Sequence, residues 1–251
     1  MATIAATPAA RSNSARTVPD LRYEHLFFSG MSVLMLVTAF FGFARTYYLA
    51  GVFRAPLPSL IIHIHGAAFT CWILLLVTQT SLVAADRTDI HRKLGIAGFF
   101  LACAMVILGV MAGTDRLLSA HDVAGRDPRA FYIVPLTDML LFATFIYFAF
   151  RNRRNPAAHK RYIFVATAAI LVAAIARLPF AFSYRKNPID SALGALFLVA
   201  LIAYDLWSTR KIHRATLWSS IFLVFIQQVR APIGKTALWH SFAAWVQTHA
   251  R

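Results

Sequence analysis

Apolar residues in this chain come in blocks too long for the interior of a soluble domain. They cover roughly residues 26–50, 57–85, 91–113, 130–150, 159–182, 189–208 and 213–232. About 20 consecutive apolar residues cross the hydrocarbon of a bilayer as a helix. The pattern therefore predicts an all-α polytopic membrane protein, a seven-transmembrane-helix bundle spanning residues 21–235. Turn formers and charges punctuate the blocks: Pro56 and Pro58 before the second, Asp89 and His91 at the start of the third, the basic run RNRRNPAAHKR before the fifth, and Asn187-Pro188 before the sixth. The segment TDRLLSAHDVAGRDPR reads as a polar loop between the third and fourth. Residues 1–20 lack apolar periodicity and read as a disordered tail without the apolar core of a secretory signal. Residues 236–251 form an amphipathic C-terminal tail with two tryptophans, suited to lie along the membrane interface.

Composition agrees with the pattern. Of 251 residues, 59% are hydrophobic and 14% charged, whereas soluble domains carry about 25% charged residues. The formal charge of +15 suggests nucleic acid at first sight. Most Lys and Arg sit at the ends of apolar blocks, however, which is the signature of membrane topology and anionic-lipid contact. No nucleic-acid partner is expected; the lipid bilayer is. With the N-terminus inside, the inner segments carry 14 Lys and Arg and the outer ones 10, with Arg177 intramembrane. The positive-inside rule then gives an N-in/C-out orientation. Cys71 and Cys103 fall inside spans without zinc-finger or CxxC spacing and read as buried apolar thiols.

Ionisable side chains inside such spans are expensive and face a bundle interior, a cavity, a cofactor or one another. His63, His65, Asp138 and Arg177 are of this kind. At about 1.5 Å per residue, His63 and His65 lie roughly 9–12 Å inside the outer surface, Asp138 lies at a similar depth, and Arg177 about 8 Å inside. Arg45, Gln227 and Arg230 fall near the same level, and Gln79 shares a helical stripe with His65. This outer layer reads either as a ligand or metal site or as a structural ion pair between Asp138 and Arg177. His63 and His65 point about 200° apart, so periodicity leaves open which of them faces the site. At the expected inner face, His91, His159 and His213 each open a helix beside basic residues, and Asp205 sits near the inner end of the sixth span. His159 and Arg177, eighteen residues apart, are expected on one helix face. His121 and His240 read as solvated.

The run from His65 through Gln79 to His91-Arg92-Lys93-Leu94-Gly95, then His159-Lys160-Arg161 and Arg177, resembles a group of bacterial membrane proteins with an H…Q…HRxLG…H(K/R)R…R pattern. That group is related to YozB-like membrane proteins, some of which assist haem-A maturation of terminal oxidases. The layout is also similar to cytochrome b561, in which histidines on adjacent helices ligate two haems. The resemblance covers about residues 60–180. It implies haem b held by His91 and His159, with His65 and Arg177 as further cofactor-binding residues, a bacterial inner-membrane location, and respiratory-chain proteins as partners. Asp138 stands where the b561 layout needs an outer histidine. The function implied is b-type electron transfer or haem handling in oxidase assembly. Two alternatives remain: a metal-dependent membrane hydrolase with zinc on His63, His65 and Asp138, and a non-catalytic transporter or sensor using the outer layer.

Overall fold

The computed structural model describes residues 18–56, 58–119, 127–178 and 189–250. Residues 1–17 of the expected N-terminal tail, the His121 loop and the 179–188 connection lie outside the described residues, and residues 18–20 of that tail instead open α1. The chain is all-helical: α1 (Val18–Phe43), a π-helical turn (Ala44–Tyr48), α2 (Leu60–Ala84), α3 (Thr88–Leu118), α4 (Pro128–Phe131), α5 (Ile133–Arg151), α6 (Pro156–Ile175), α7 (Ile189–Thr209), α8 (Arg214–Gly234) and α9 (Ala237–His249). Five segments are long and apolar enough to cross a membrane: Leu21–Tyr48, Leu60–Ala84, Thr88–Leu118, Pro128–Arg151 and Pro156–Ile175. They define a multi-pass helical membrane protein. The described apolar stretch of α7, Gly194–Thr209, is shorter, and the last two turns of α8 hold Gln227, Gln228 and Arg230.

The helix starts follow local chemistry. Asn155 caps α6, its side chain accepting from Ala158 N–H, and Pro156 takes the first helical turn, where a missing N–H costs nothing. Thr236 caps α9 by accepting from Trp239 N–H. The turn between α2 and α3 is only three residues long, with Asp86 in the left-handed region at φ 57°. The helix α3 runs further than the sequence pattern suggests. Thr114 and Asp115, expected in a loop, instead continue it and are pinned there: Thr114 Oγ1 pairs with Tyr132 Oη at 2.9 Å, and Ser59 donates to Asp115 at 2.9 Å.

Helix ends alternate between the two ends of the bundle. The starts of α1, α3, α6 and α8 and the ends of α2, α5 and α7 gather at what we call the histidine end. The opposite end carries α9, which lies against α3, α4 and α8. Central in the bundle is α6, which packs on α1, α5, α7 and α8. It is buried on several sides and rich in small residues, including Ala158, Ala166, Thr167, Ala168, Ala169 and Ala174. Such residues let helix backbones approach where lipid offers no hydrophobic drive. At Gly42 on α1 a Cβ would collide with the Ala174 carbonyl oxygen, so only glycine permits that crossing. Cys71 and Cys103 are both exposed on outward helix faces, not buried as expected. Alternation within a fully apolar helix carries no mark of which face turns inward.

Candidate functional site

At the histidine end, the first turns of α3 and α6 bring His91 and His159 together. Their ring centroids are 6.4 Å apart and the planes are perpendicular, at 89°. His159 Nδ1 lies 2.9 Å from the Ala149 carbonyl at the end of α5. A carbonyl accepts only, so the proton sits on Nδ1 and the Nε2 lone pair is left outward. Nε2 makes no hydrogen bond among the described residues. His91 Nδ1 and Gln79 Oε1 are both buried without a hydrogen-bond partner. Gln79, at the end of α2, lies beside Gly95, one turn along α3 from His91. Four helix ends thus enclose two imidazoles, one oriented by a main-chain oxygen, and two orphaned polar atoms. Buried polar atoms without partners are uncommon and call for an explanation, such as a bound water, an ion or a functional role.

The ring separation tests which group these imidazoles fit. With metal–nitrogen bonds of about 2 Å, two imidazoles on opposite sides of one metal place their centroids about 6.4 Å apart. Two ligands of a tetrahedral ion would bring them to about 5 Å. The observed 6.4 Å is the wider of these two spacings. Among the described residues no three His, Cys, Asp or Glu side chains form a group able to hold a metal ion. His63 is exposed and faces away from the bundle, its carbonyl accepting from Tyr47 Oη at 3.1 Å. His65 is the inward one of the two, packed on Phe69 at 4.2 Å between centroids. The zinc triad of His63, His65 and Asp138 is therefore not gathered into one site.

The expected outer layer divides into two groups. Asp138 on α5 pairs with Arg230 on α8 at 2.5 Å, and not with Arg177. Gln227, one turn before Arg230, has its Nε2 buried without a partner. Around α2 and α6, Arg177 donates to the Ala173 carbonyl at 2.5 Å, lies over the Phe43 ring at 4.8 Å, and interacts electrostatically with His65. His65 Nδ1 is also buried without a partner. Arg177 lies beyond the end of α6 and turns toward α1, whereas His159 faces α3 and α5, so the two do not share a face. Arg45 is exposed and lies over Phe53 at 5.5 Å, outside the layer. Gln79 belongs with His91, about 21 Å down α2 from His65 at 1.5 Å per residue.

Sequence reasoning missed the most completely bonded polar cluster. Asp205 on α7 is 0% exposed and Arg161 on α6 2%. The two are paired, with Arg161 Nε donating at 2.9 Å. The other carboxylate oxygen accepts from His213 N–H at 3.0 Å and from Thr216 Oγ1 at 2.6 Å at the start of α8. One carboxylate therefore ties three helices. Beside it Lys160 pairs with Glu24 of α1 at 2.5 Å. The available signal was position: Arg161 lies more than one turn inside α6, too deep for a purely interfacial charge. His213 caps α8, its Nδ1 accepting from Ala215 N–H at 3.1 Å. Burial holds its pKa below the ordinary value, reinforced by Arg161 and Lys160 and opposed by Asp205. His240 pairs with Asp127 at 3.5 Å.

No protein-family model, curated protein or solved structure matches this chain.

Proposed function

We propose that this protein is a haem-binding membrane protein in which His91 and His159 would hold a b-type haem near the histidine end. The observation that carries the reading is the 6.4 Å spacing of the two rings, together with the His159 Nδ1 bond that leaves the Nε2 lone pair available to a ligand. A ligating histidine characteristically donates its other N–H to a carbonyl or carboxylate, which fixes the tautomer and raises ligand basicity. Ala149 fills that role for His159. Bound haem would supply one-electron chemistry, and the histidines holding it would tune its potential. The chain's own contribution is to orient the imidazoles, keep Gln79 against the site, and exclude water with the ends of four helices. Electron transfer and haem handling for an oxidase both use this arrangement, and both fit the resemblance of the His65–Arg177 pattern.

The test is spectroscopic. Protein purified in detergent after growth with haem precursor should give a b-type band in its reduced-minus-oxidised spectrum. His91→Ala and His159→Ala should each abolish that band while the protein remains folded. An intact band in either variant would sink the assignment, as would its absence from wild type after haem supplementation.

The finer topology belongs to the same proposal: seven spans with α7 and α8 crossing, the N-terminus inside, and a bacterial inner membrane. The alternation of helix ends and the excess of Lys and Arg at the histidine end support it. Reporter fusions after Thr209 and after His249 should report opposite sides of the membrane. The same side for both would remove α8 from the spans.

A further inference from the structure

On the outer surface of α5, α6 and α8, toward the histidine end, lies a groove of about 310 Å³. Its walls are Thr144, Phe145 and Phe148 of α5, Tyr162 of α6, and Trp218 and Phe222 of α8. Phe148, Trp218 and Phe222 are 41%, 64% and 37% exposed, so the groove opens sideways on the face that meets lipid. It is apolar.

The helix register says what stands at its mouth. Thr144, Phe148 and Arg151 fall at i, i+4 and i+7 on α5, and Arg214, Trp218 and Phe222 fall at i, i+4 and i+8 on α8. Each wall thus ends, about one turn or 5 Å beyond the aromatic lining, in an arginine. Arg151 and Arg214 are both exposed, and neither makes a salt bridge or side-chain hydrogen bond among the described residues. The carboxylates packed into the bundle at this end are already taken, Asp205 by Arg161 and Glu24 by Lys160. The groove therefore presents a slot for a hydrocarbon chain capped by two uncompensated positive charges at headgroup level, with Tyr162 and Trp218 as amphipathic rings beside them.

We propose that this groove is a binding site for one anionic phospholipid, its acyl chain between α5, α6 and α8 and its phosphate between Arg151 and Arg214. The site is independent of the haem reading. It requires only that the bundle sit in a bilayer.

Native mass spectrometry of the full chain in mild detergent, titrated with phosphatidylglycerol or phosphatidylcholine, tests it. Wild type should bind the first phosphatidylglycerol well over tenfold more tightly than phosphatidylcholine. Arg151→Gln and Arg214→Gln should each lower that preference about fivefold, the factor carried by one basic residue at an anionic headgroup. The double variant should lose the preference. Thr144→Phe, which fills the groove and keeps both arginines, should weaken binding of both lipids. The pair Arg92→Gln and Lys93→Gln removes equal charge at the same end of α3, away from the groove, and should change nothing. An unchanged preference in the double variant overturns the proposal. So does an equal loss in the α3 control, which would reduce the effect to general surface charge. Undiminished binding in Thr144→Phe overturns it too, by showing a headgroup held without the groove.

Discussion

Asp205 at the histidine end and Asp138 at the α9 end are both buried, 0% and 8% exposed, yet their surroundings differ in kind. Asp205 accepts from the Arg161 guanidinium, from the His213 main chain and from Thr216, so both of its oxygens are engaged. Asp138 accepts from Arg230 alone among the described residues. The unpartnered atoms of Gln227 and His65 lie toward the same end as Asp138. A charge in low dielectric is tolerated when its lone pairs are filled and it has a counter-charge. Asp205 meets both conditions and fixes how α6, α7 and α8 meet. Asp138 meets the second and leaves hydrogen-bonding capacity over. The first is a structural knot; the second is an ion pair with acceptor capacity left over.

The comparison can be broken in order of expected effect. Asp205→Ala strands the buried Arg161 charge and should cost about 3–5 kcal/mol, read as a large fall in thermal unfolding temperature in detergent. Replacing both partners, Arg161→Leu with Asp205→Leu, should recover most of that loss, because an apolar pair leaves no charge unpaired. Asp138→Ala should cost less, about 1–3 kcal/mol, since Arg230 lies nearer the bundle's edge. If the ranking of the two aspartates reverses, the contrast between the ends is wrong. A double-mutant cycle then sharpens the pairing. Asp138→Asn should couple to Arg230→Gln, and should add to Arg177→Gln within about 0.5 kcal/mol, as separated sites do.

A smaller effect is pH-dependent. Because folding lowers the His213 pKa, the unfolded chain binds that proton more readily. The contribution of His213 is therefore fully present above the ordinary histidine value of about 6.5 and is lost as pH falls below it. Unfolding temperature should decline modestly between pH 7.5 and 5.5, and His213→Asn, which keeps a capping side chain, should flatten the slope. Smallest of all, Ser59→Ala removes an exposed hydrogen bond to Asp115 and should change stability by less than about 0.5 kcal/mol.

Much of this architecture was legible in residue order. Long apolar blocks announce helices, and turn formers with basic clusters mark their ends. Membrane-length blocks running back and forth place His91 and His159 at the same end before any contact is known. What residue order does not carry is rotation about the helix axis. In a soluble helix the polar face declares itself, but α2 and α3 are apolar all round, so the inward turn of His65 and the outward turn of His63 depend on where α1 and α3 dock. The same gap hid Asp138's partner. Arg177 and Arg230 stand at similar depth, and only the packing of α8 against α5 selects Arg230. Arg161 was obscured by its neighbours: within His159-Lys160-Arg161 the charges look interfacial, while about 200° of helix rotation carries the third residue from the His159 face to Asp205.

The short helix α9 bears on how the protein is made. Gln247 donates to the Leu117 carbonyl at 3.0 Å, across 130 residues of chain, and Trp239 donates to the Arg129 carbonyl at 2.8 Å. Leu117 is in the last turn of α3, where carbonyls have no partner within their own helix. During synthesis that helix end leaves the ribosome long before α9 exists, and the Leu117 carbonyl waits for this donor until residues 237–249 have been made. A chain cut before Ala237 would lose both bonds, and this end of the bundle would be left open.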